Sequence, residues 1–240
     1  MRWSAVAPTH PFFLIQPMEV PLWKRWLSYI TPLTLEVTSS PLNPELTVVL
    51  DRGRLQLLSG DAIYSWDDLY YNFAKAFEVL EPARRGYQEV LLLGLGLGSV
   101  PYLLEKKHQL VYYYTAVEWD EVIADLADRY TFSRLKSPVE MVVADAAVFV
   151  EVCSERYDMV VIDLFQDSET PEEFETVAFL EACVALLRPG GLLLLNRLSR
   201  TNRDLVLAER YLEGTFKQVL PGADKIDTEG NWILYWERPH

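Results

Sequence analysis

Four places in the chain combine residue types that can hold and activate a small molecule: the turn Gly94-Leu95-Gly96-Leu97-Gly98-Ser99, and the single carboxylates Glu118, Asp145 and Asp163. Glycines at a strand-to-helix turn remove side chains, so that backbone N–H groups can approach a ligand with a helix N-terminus behind them. The same turn also suits close packing of a strand against its helix. Glu118 lies 24 residues beyond Gly94 and ends an apolar run, where a carboxylate can accept hydrogen bonds from both hydroxyls of a ribose. Asp145 follows Val139–Ala144, and Asp163 closes the nearly all-apolar Tyr157–Ile162. Each carboxylate has a plainer reading: Glu118 as a solvated strand end, Asp145 as the N-cap of a helix beginning at Ala146, Asp163 as a brace for the segment before Pro171. A glycine turn and three acidic strand ends on one sheet edge together favour a nucleoside site.

The details of the turn restrict the nucleoside. A dinucleotide fingerprint places glycine at the sixth position of G-x-G-x-x-G, and here that position is Ser99. No basic residue lies near the turn to meet a diphosphate. Adenosyl-sulfonium donors carry no phosphate, so the residues favour S-adenosylmethionine or its decarboxylated form over NAD. The chain holds 22 Lys and Arg against 35 Asp and Glu, a formal net charge of −13. Such a surface disfavours nucleic-acid binding through a broad basic face and is compatible with a cationic small substrate. Two cysteines, Cys153 and Cys183, give neither a disulfide framework nor a zinc site. Three scattered histidines (His10, His108, His240) form no metal cluster or nucleophile–base set. The N-terminus MRWSAVAPTHPFF lacks a secretory pattern. The longest apolar stretch, Val90–Leu104, is interrupted by glycines and Pro101 and is too short to cross a bilayer. The expectation is a soluble, cytoplasmic protein with no metal, nucleic-acid or membrane partner.

The elements that must position these residues change character near residue 85. Before it, Leu33–Val37, Thr47–Leu50 and Arg54–Leu58 read as short strands of an antiparallel unit. Leu69, Tyr70, Phe73, Phe77 and Leu80 then predict a helix over Asp67–Leu80, capped at Ser65 or Asp67. From Glu89 onward strands alternate with helices. Strands are predicted at Glu89–Leu93, Val111–Glu118, Val139–Val143, Tyr157–Asp163, Leu192–Asn196 and Asn231–Glu237. Helices are predicted through Lys107, at Asp120–Tyr130, from Ala146, at Pro171–Leu187 (stopped by Arg188-Pro189-Gly190-Gly191) and at Asn202–Leu212. Repeated βα units predict a parallel, doubly wound sheet. The expected division is 1–84, a small β unit with a connecting helix, and 85–240, a nucleoside-binding catalytic domain.

The runs EVLLLGLGLGSVPYLLEKK, YTAVEWDEVI, Ala144-Asp145-Ala146, YDMVVIDLF and FLEACVALLRPGGLLLLN resemble the catalytic domain of spermidine synthases and their relatives among class I S-adenosylmethionine-dependent methyltransferases. More loosely, Leu50-Asp51, Gly53, Gln56, Asp61 and Tyr64 resemble that family's N-terminal β segment. The resemblance covers about residues 30–200 and the late strand GNWILYW. It implies a Rossmann-like, seven-stranded methyltransferase-type sheet with a small N-terminal β unit, and a homodimer, for which the aromatic segment Trp23–Tyr29 offers a surface. It also implies that Gly94, Gly96 and Gly98 cradle the donor's methionine-derived portion. Gln56 would lie beside the donor, Glu118 on its ribose, Asp145 on the adenine amino group and Tyr64 near the acceptor. Asp163 would deprotonate the attacking amine, because an ammonium has no lone pair until a base removes its proton.

The chain departs from the family at three places. Leu97 stands where the family has an aspartate in the glycine loop, and Tyr64-Ser65-Trp66 replaces a Tyr-His-Glu-like run. After Asp163 the second acidic position falls on Gln166 unless the loop shifts by one to Asp167. By sequence the pocket is therefore short of carboxylates. The expected function is transfer of a methyl or aminopropyl group from an adenosyl-sulfonium donor to a small acceptor such as an amine; Leu97 tilts the choice slightly toward methyl, while the resemblance of the N-terminal unit to the polyamine branch leaves it open. The alternative is a non-catalytic adenosyl-binding module.

Overall fold

The computed structural model describes residues 20–60, 62–165 and 170–240. Asp61, Gln166 and Asp167, His10 and the N-terminal MRWSAVAPTHPFF lie outside the described residues.

Four short strands, β1 (Leu33–Thr38), β2 (Leu46–Asp51), β3 (Arg54–Ser59) and β4 (Ala62–Trp66), form an antiparallel meander in that order. The β2–β3 turn is Arg52-Gly53, both at positive φ, the backbone that a two-residue hairpin needs to match strand twist. A short helix, α1 (Leu22–Leu27), precedes the sheet and buries none of its residues. Among the described residues no helix is long and apolar enough to cross a membrane.

The second sheet contains β5 (Glu89–Leu93), β6 (Tyr113–Glu118), β7 (Val139–Val143), β8 (Tyr157–Ile162), β9 (Leu187–Leu198), β10 (Asp224–Asp227) and β11 (Asn231–Glu237), in the order β10-β11-β9-β8-β5-β6-β7. The central five are parallel, while β11 runs antiparallel to β9 and β10 antiparallel to β11. The sheet is therefore mixed, where repeated βα units alone predict a parallel one. Its last two strands are joined as a hairpin and need no crossover. β10 carries one buried residue, Ile226, too weak a pattern to announce a strand.

Six principal helices flank the sheets: α2 (Tyr71–Leu80), α3 (Ser99–Lys106), α4 (Glu121–Tyr130), α5 (Ala146–Val152), α6 (Val177–Leu186) and α7 (Asn202–Tyr211). One face of the large sheet packs on α5, α6 and α7 through residues such as Leu93, Val160, Leu180 and Ala208. The other face takes α3 and the connecting helix α2, whose Phe73, Phe77 and Leu80 pack with Val90, Leu92, Leu103 and Ile233. The small sheet packs its Leu46, Val48, Leu55 and Leu57 on Ile123, Leu126 and Tyr130 of α4, and the fully buried Leu97 of the glycine turn joins that cluster. Arg129 clamps Glu36 of β1 through two 2.8 Å bonds.

Two predicted helix ends move. Ser65 lies in β4 and Asp67 is buried at φ +30, accepting from Leu55 N and from Arg134. Neither caps α2, which starts at Tyr71 after a 3-10 turn at Asp67–Leu69. The predicted helix from Pro171 divides into a 3-10 turn, Glu172–Glu175, and α6, capped by the Thr176 hydroxyl on Phe179 N. Arg188-Pro189-Gly190-Gly191, the run predicted to stop this helix, lies within the start of β9, whose Leu187 already pairs with Tyr157. A register shift between Tyr157 and Met159 absorbs the glycines. The predicted Val111–Glu118 strand begins at Tyr113.

Candidate active site

The chain runs outward from β5 through β6 to β7 and then returns to the other side of β5 as β8. The strand ends diverge at such a reversal and leave a crevice at the carboxyl edge. A cleft of about 580 Å³ lies there, walled by the ends of β5, β6, β8 and β9, by the β10–β11 turn and by β4.

Glu118, the last residue of β6, faces the cleft. Its Oε2 accepts from Leu95 N and Gly96 N at 3.1 and 3.4 Å, and its Oε1 from Asp120 N at 3.1 Å. Burial raises its pKa, while these three N–H groups work against the shift. Asp145 lines the cleft and also caps α5, with Oδ1 accepting from Ala147 N at 2.7 Å, so its plainer reading is realised without removing it from the wall. Asp120 caps α4 through Val122 N and accepts from Ser40 and Asn43 of the β1–β2 connection.

Asp163, just past the end of β8, receives two donors. Asn196 Nδ2 lies 2.8 Å from Oδ1, and the Tyr70 hydroxyl 2.9 Å from Oδ2. Burial raises its pKa to about 6, the two hydrogen bonds limit the rise, and Glu118 adds to it. Burial and the nearby carboxylate push the Tyr70 phenol up, so Tyr70 stays a donor.

The three loop glycines have separate roles. A methyl group at Gly94, which has φ +83, would lie 2.2 Å from the Asp163 carbonyl oxygen, so only glycine lets the β5 turn pass beside Asp163. Gly96 abuts Tyr64 and Ser65 of β4. Gly94 and Gly96 line the cleft; Gly98 does not, and packs instead on Thr131 and Phe132 beyond α4. Gln56 is buried in β3 opposite Val49 and Trp66, away from the cleft wall. Tyr64 does line the cleft, with its hydroxyl donating to Asn43 Oδ1 at 3.2 Å.

Sequence reasoning missed Tyr70, Asn196 and Asn231, whose Nδ2 lies 2.9 Å from Asn196 Oδ1. It also missed Glu173 and Glu229, which add carboxylates to a wall already holding Glu118, Asp120, Asp145 and Asp163, with Arg200 as the one cation among the described lining residues. The pocket is thus not short of carboxylates. Asn196 gave the same signal as Asp163, a polar residue ending a buried strand. Among the described residues, no three His, Cys, Asp or Glu side chains are grouped to hold a metal.

An acidic crevice at the switch point of a β10-β11-β9-β8-β5-β6-β7 sheet, with a separate antiparallel sheet alongside, defines a Rossmann-like protein of the methyltransferase type. The sequence pattern of the spermine/spermidine synthase domain matches residues 78–223, and the chain belongs to that family. A polyamine aminopropyltransferase of Vibrio vulnificus is 30% identical over 115 residues, 47% of this chain and 38% of that protein. Polyamine aminopropyltransferase 2 of Hyperthermus butylicus is 30% identical over 152 residues, 59% of this chain and 48% of its own. The chain thus spans less than half the length of either relative. A spermidine synthase solved with the transition-state analogue AdoDATO superposes with a TM-score of 0.67 at 15% identity, covering 85% of this chain and 73% of its own. Human methyltransferase-like protein 13 in complex with SAH gives 0.52 at 26% identity, covering 64% of this chain and 72% of its own.

Proposed function

We propose that the protein binds an adenosyl-sulfonium donor in this cleft and transfers an alkyl group from it to a small nucleophile, with Asp163 as the base. The observation that carries this reading is Asp163 itself: a cleft-facing carboxylate at the switch point, held from both sides by neutral donors and pushed up by burial to a pKa of about 6. A general base works best with a pKa close to the working pH.

The residues fit such a donor. Glu118 and Asp145 present acceptors to hydroxyl and amino groups, and the wall carries no cation beyond Arg200 among the described residues to welcome a phosphate. A sulfonium donor supplies an electrophilic carbon whose leaving group departs as a neutral thioether. Asp163 takes the proton of an acceptor ammonium, freeing the lone pair that forms the new bond. Tyr70 and Asn196 hold the carboxylate in place while it does so. Glu173 and Glu229 give a cationic acceptor further partners.

Family membership and the polyamine aminopropyltransferase relatives support an aminopropyl group and an amine acceptor. Leu97 supports methyl: with its side chain in the small sheet's core and none of it on the cleft, the glycine turn presents no carboxylate to the lone ammonium of a decarboxylated donor. The zwitterionic tail of S-adenosylmethionine asks for less. Homodimerisation through the exposed Trp23, Trp26 and Tyr29 belongs to the same reading, and light scattering showing a strict monomer counts against it.

Thermal-shift titration with S-adenosylmethionine, its decarboxylated form, methylthioadenosine and NAD tests the reading. A folded-state ligand at a hundredfold excess over Kd stabilises by about 2.7 kcal/mol. Preference between the two donors assigns the transferred group. Binding without turnover across an amine panel indicates a sensor, and no shift with any adenosyl compound overturns the site.

A further inference from the structure

Asp163 ends a chain of side chains that crosses the sheet from β11 to β8. Asn231, first residue of β11, donates from Nδ2 to Asn196 Oδ1 at 2.9 Å; Asn196, near the end of β9, donates from Nδ2 to Asp163 Oδ1 at 2.8 Å; Tyr70 approaches Oδ2 from the far side. Asn196 is 3% exposed, so its amide settles with little help from water. A carboxamide is a donor at one end and an acceptor at the other, and which end meets Asp163 is decided by what its other end meets. With an N–H donor at Asn231, the Asn196 oxygen turns toward β11 and its NH2 group toward the carboxylate.

We infer that Asn231 is a positioning residue for Asp163: it acts through Asn196, fixing the amide so that Asp163 is met by a donor and stays free to accept a proton. The inference rests on the reading of Asp163 as the base. Among the described residues, the titratable groups facing Asp163 are Tyr70, from the segment before α2, and Glu118, from β6; Arg200 faces Tyr70, and Glu173 and Glu229 stand on the same cleft wall. None of these touches the Asn231–Asn196 bond, so the effect of Asn231 is separable from theirs. Without Asn231, the Asn196 amide is free to turn its oxygen toward Asp163. A protonated carboxyl then gains a partner and an ionised one loses it, so the carboxyl keeps its proton to higher pH. Backbone pairing of Asn231 with Leu198 does not depend on its side chain.

The test is a 13C NMR titration of the Asp163 carboxyl, assigned by its loss in Asp163→Asn. The expected midpoint lies near 6 in the unaltered chain and about one pH unit higher in Asn231→Leu, on the scale of one hydrogen bond to a charged group. In an Asn196→Leu background the same substitution is expected to add nothing, which separates action through Asn196 from a general loosening of the turn. Asn231→Ala replaces the leucine variant if thermal melts show the latter misfolded. A midpoint unchanged by removing Asn231, or a shift that survives in the Asn196→Leu background, overturns the inference. The titration needs neither donor nor acceptor. If the midpoint moves as expected but the acid limb of the rate profile does not follow it, the positioning role stands and Asp163 is not the base.

Discussion

On the wall formed by β4 and the β1–β2 connection, polar side chains bond one another. Asn43 donates from Nδ2 to Asp120 and accepts on Oδ1 from the Ser59 and Tyr64 hydroxyls, and Ser65 meets Ser99 at 2.7 Å. On the wall formed by β6, β8 and β9, Glu118 and Asp145 are fixed by backbone N–H groups and Asp163 by two neutral side chains, with no cation among the described residues paired to any of them. The first wall uses its polarity to dock one sheet on the other. The second keeps negative charge facing the cleft, where a charged or hydroxylated ligand can use it. Exposure to the cleft alone does not separate the two; what each polar atom is already bonded to does.

The sharpest way to break this contrast is Asp163→Asn, expected to lower turnover by about 10²–10⁴-fold while the donor's thermal shift is retained; full activity removes Asp163 from the mechanism. Gly94→Ala forces a methyl group against the Asp163 carbonyl at a positive φ and is expected to cost about 2–4 kcal/mol of stability, read by chemical denaturation. The same Asp163→Asn variant sharpens the contrast through pH. Asp163 ionises near 6 when folded and near 3.9 when unfolded. Between those values the folded state binds more protons, so this group's contribution to stability falls as pH rises from about 4 to 6. Removing the charge is therefore expected to add about 2 kcal/mol at pH 7–8 and nothing below pH 4, seen as a Tm difference that closes on acidification. Tyr70→Phe deletes a donor to Asp163 and is expected to move the acid limb of the rate profile up by about one unit. Tyr64→Phe is expected to change activity by about threefold or less and stability by under about 1 kcal/mol, because Asn43 Oδ1 keeps Ser59. A larger loss in Tyr64→Phe than in Tyr70→Phe would reverse the assignment of the two walls.

Much of the large sheet was legible because its central strands, such as Glu89–Leu93, are buried and read as apolar runs; Val139–Val143, an edge strand without a buried residue, was legible to the residue from its valines. Glu118 and Asp163 were legible for the same reason, as single carboxylates closing such runs. Asn196 carried the same local signal and was passed over because it is not a carboxylate; Tyr70 and Asn231 were not legible, because their bonds join residues 93 and 35 positions apart and no local spacing records them. Gln56 shows the limit of strand alternation: a loose resemblance supplied a role, but the alternation could not say which face of β3 Gln56 takes, and it is buried between β2 and β4. Leu97 read as a missing carboxylate, whereas its burial with Leu46, Leu57 and Tyr130 makes it part of what holds the small sheet down.

The placement of α2 bears on how the molecule can be taken apart. By hydrogen bonding it stands between two separate sheets, yet Phe73, Ala76 and Phe77 are as deeply buried as any residue of β5. A fragment starting at Glu89 would expose Val90, Leu92, Leu103 and Ile233 to water, and one ending at Trp66 would lose the α4 surface beneath β2 and β3. A protease acting at the Pro82–Tyr87 connection would then yield two nicked halves that travel together, not a free catalytic domain.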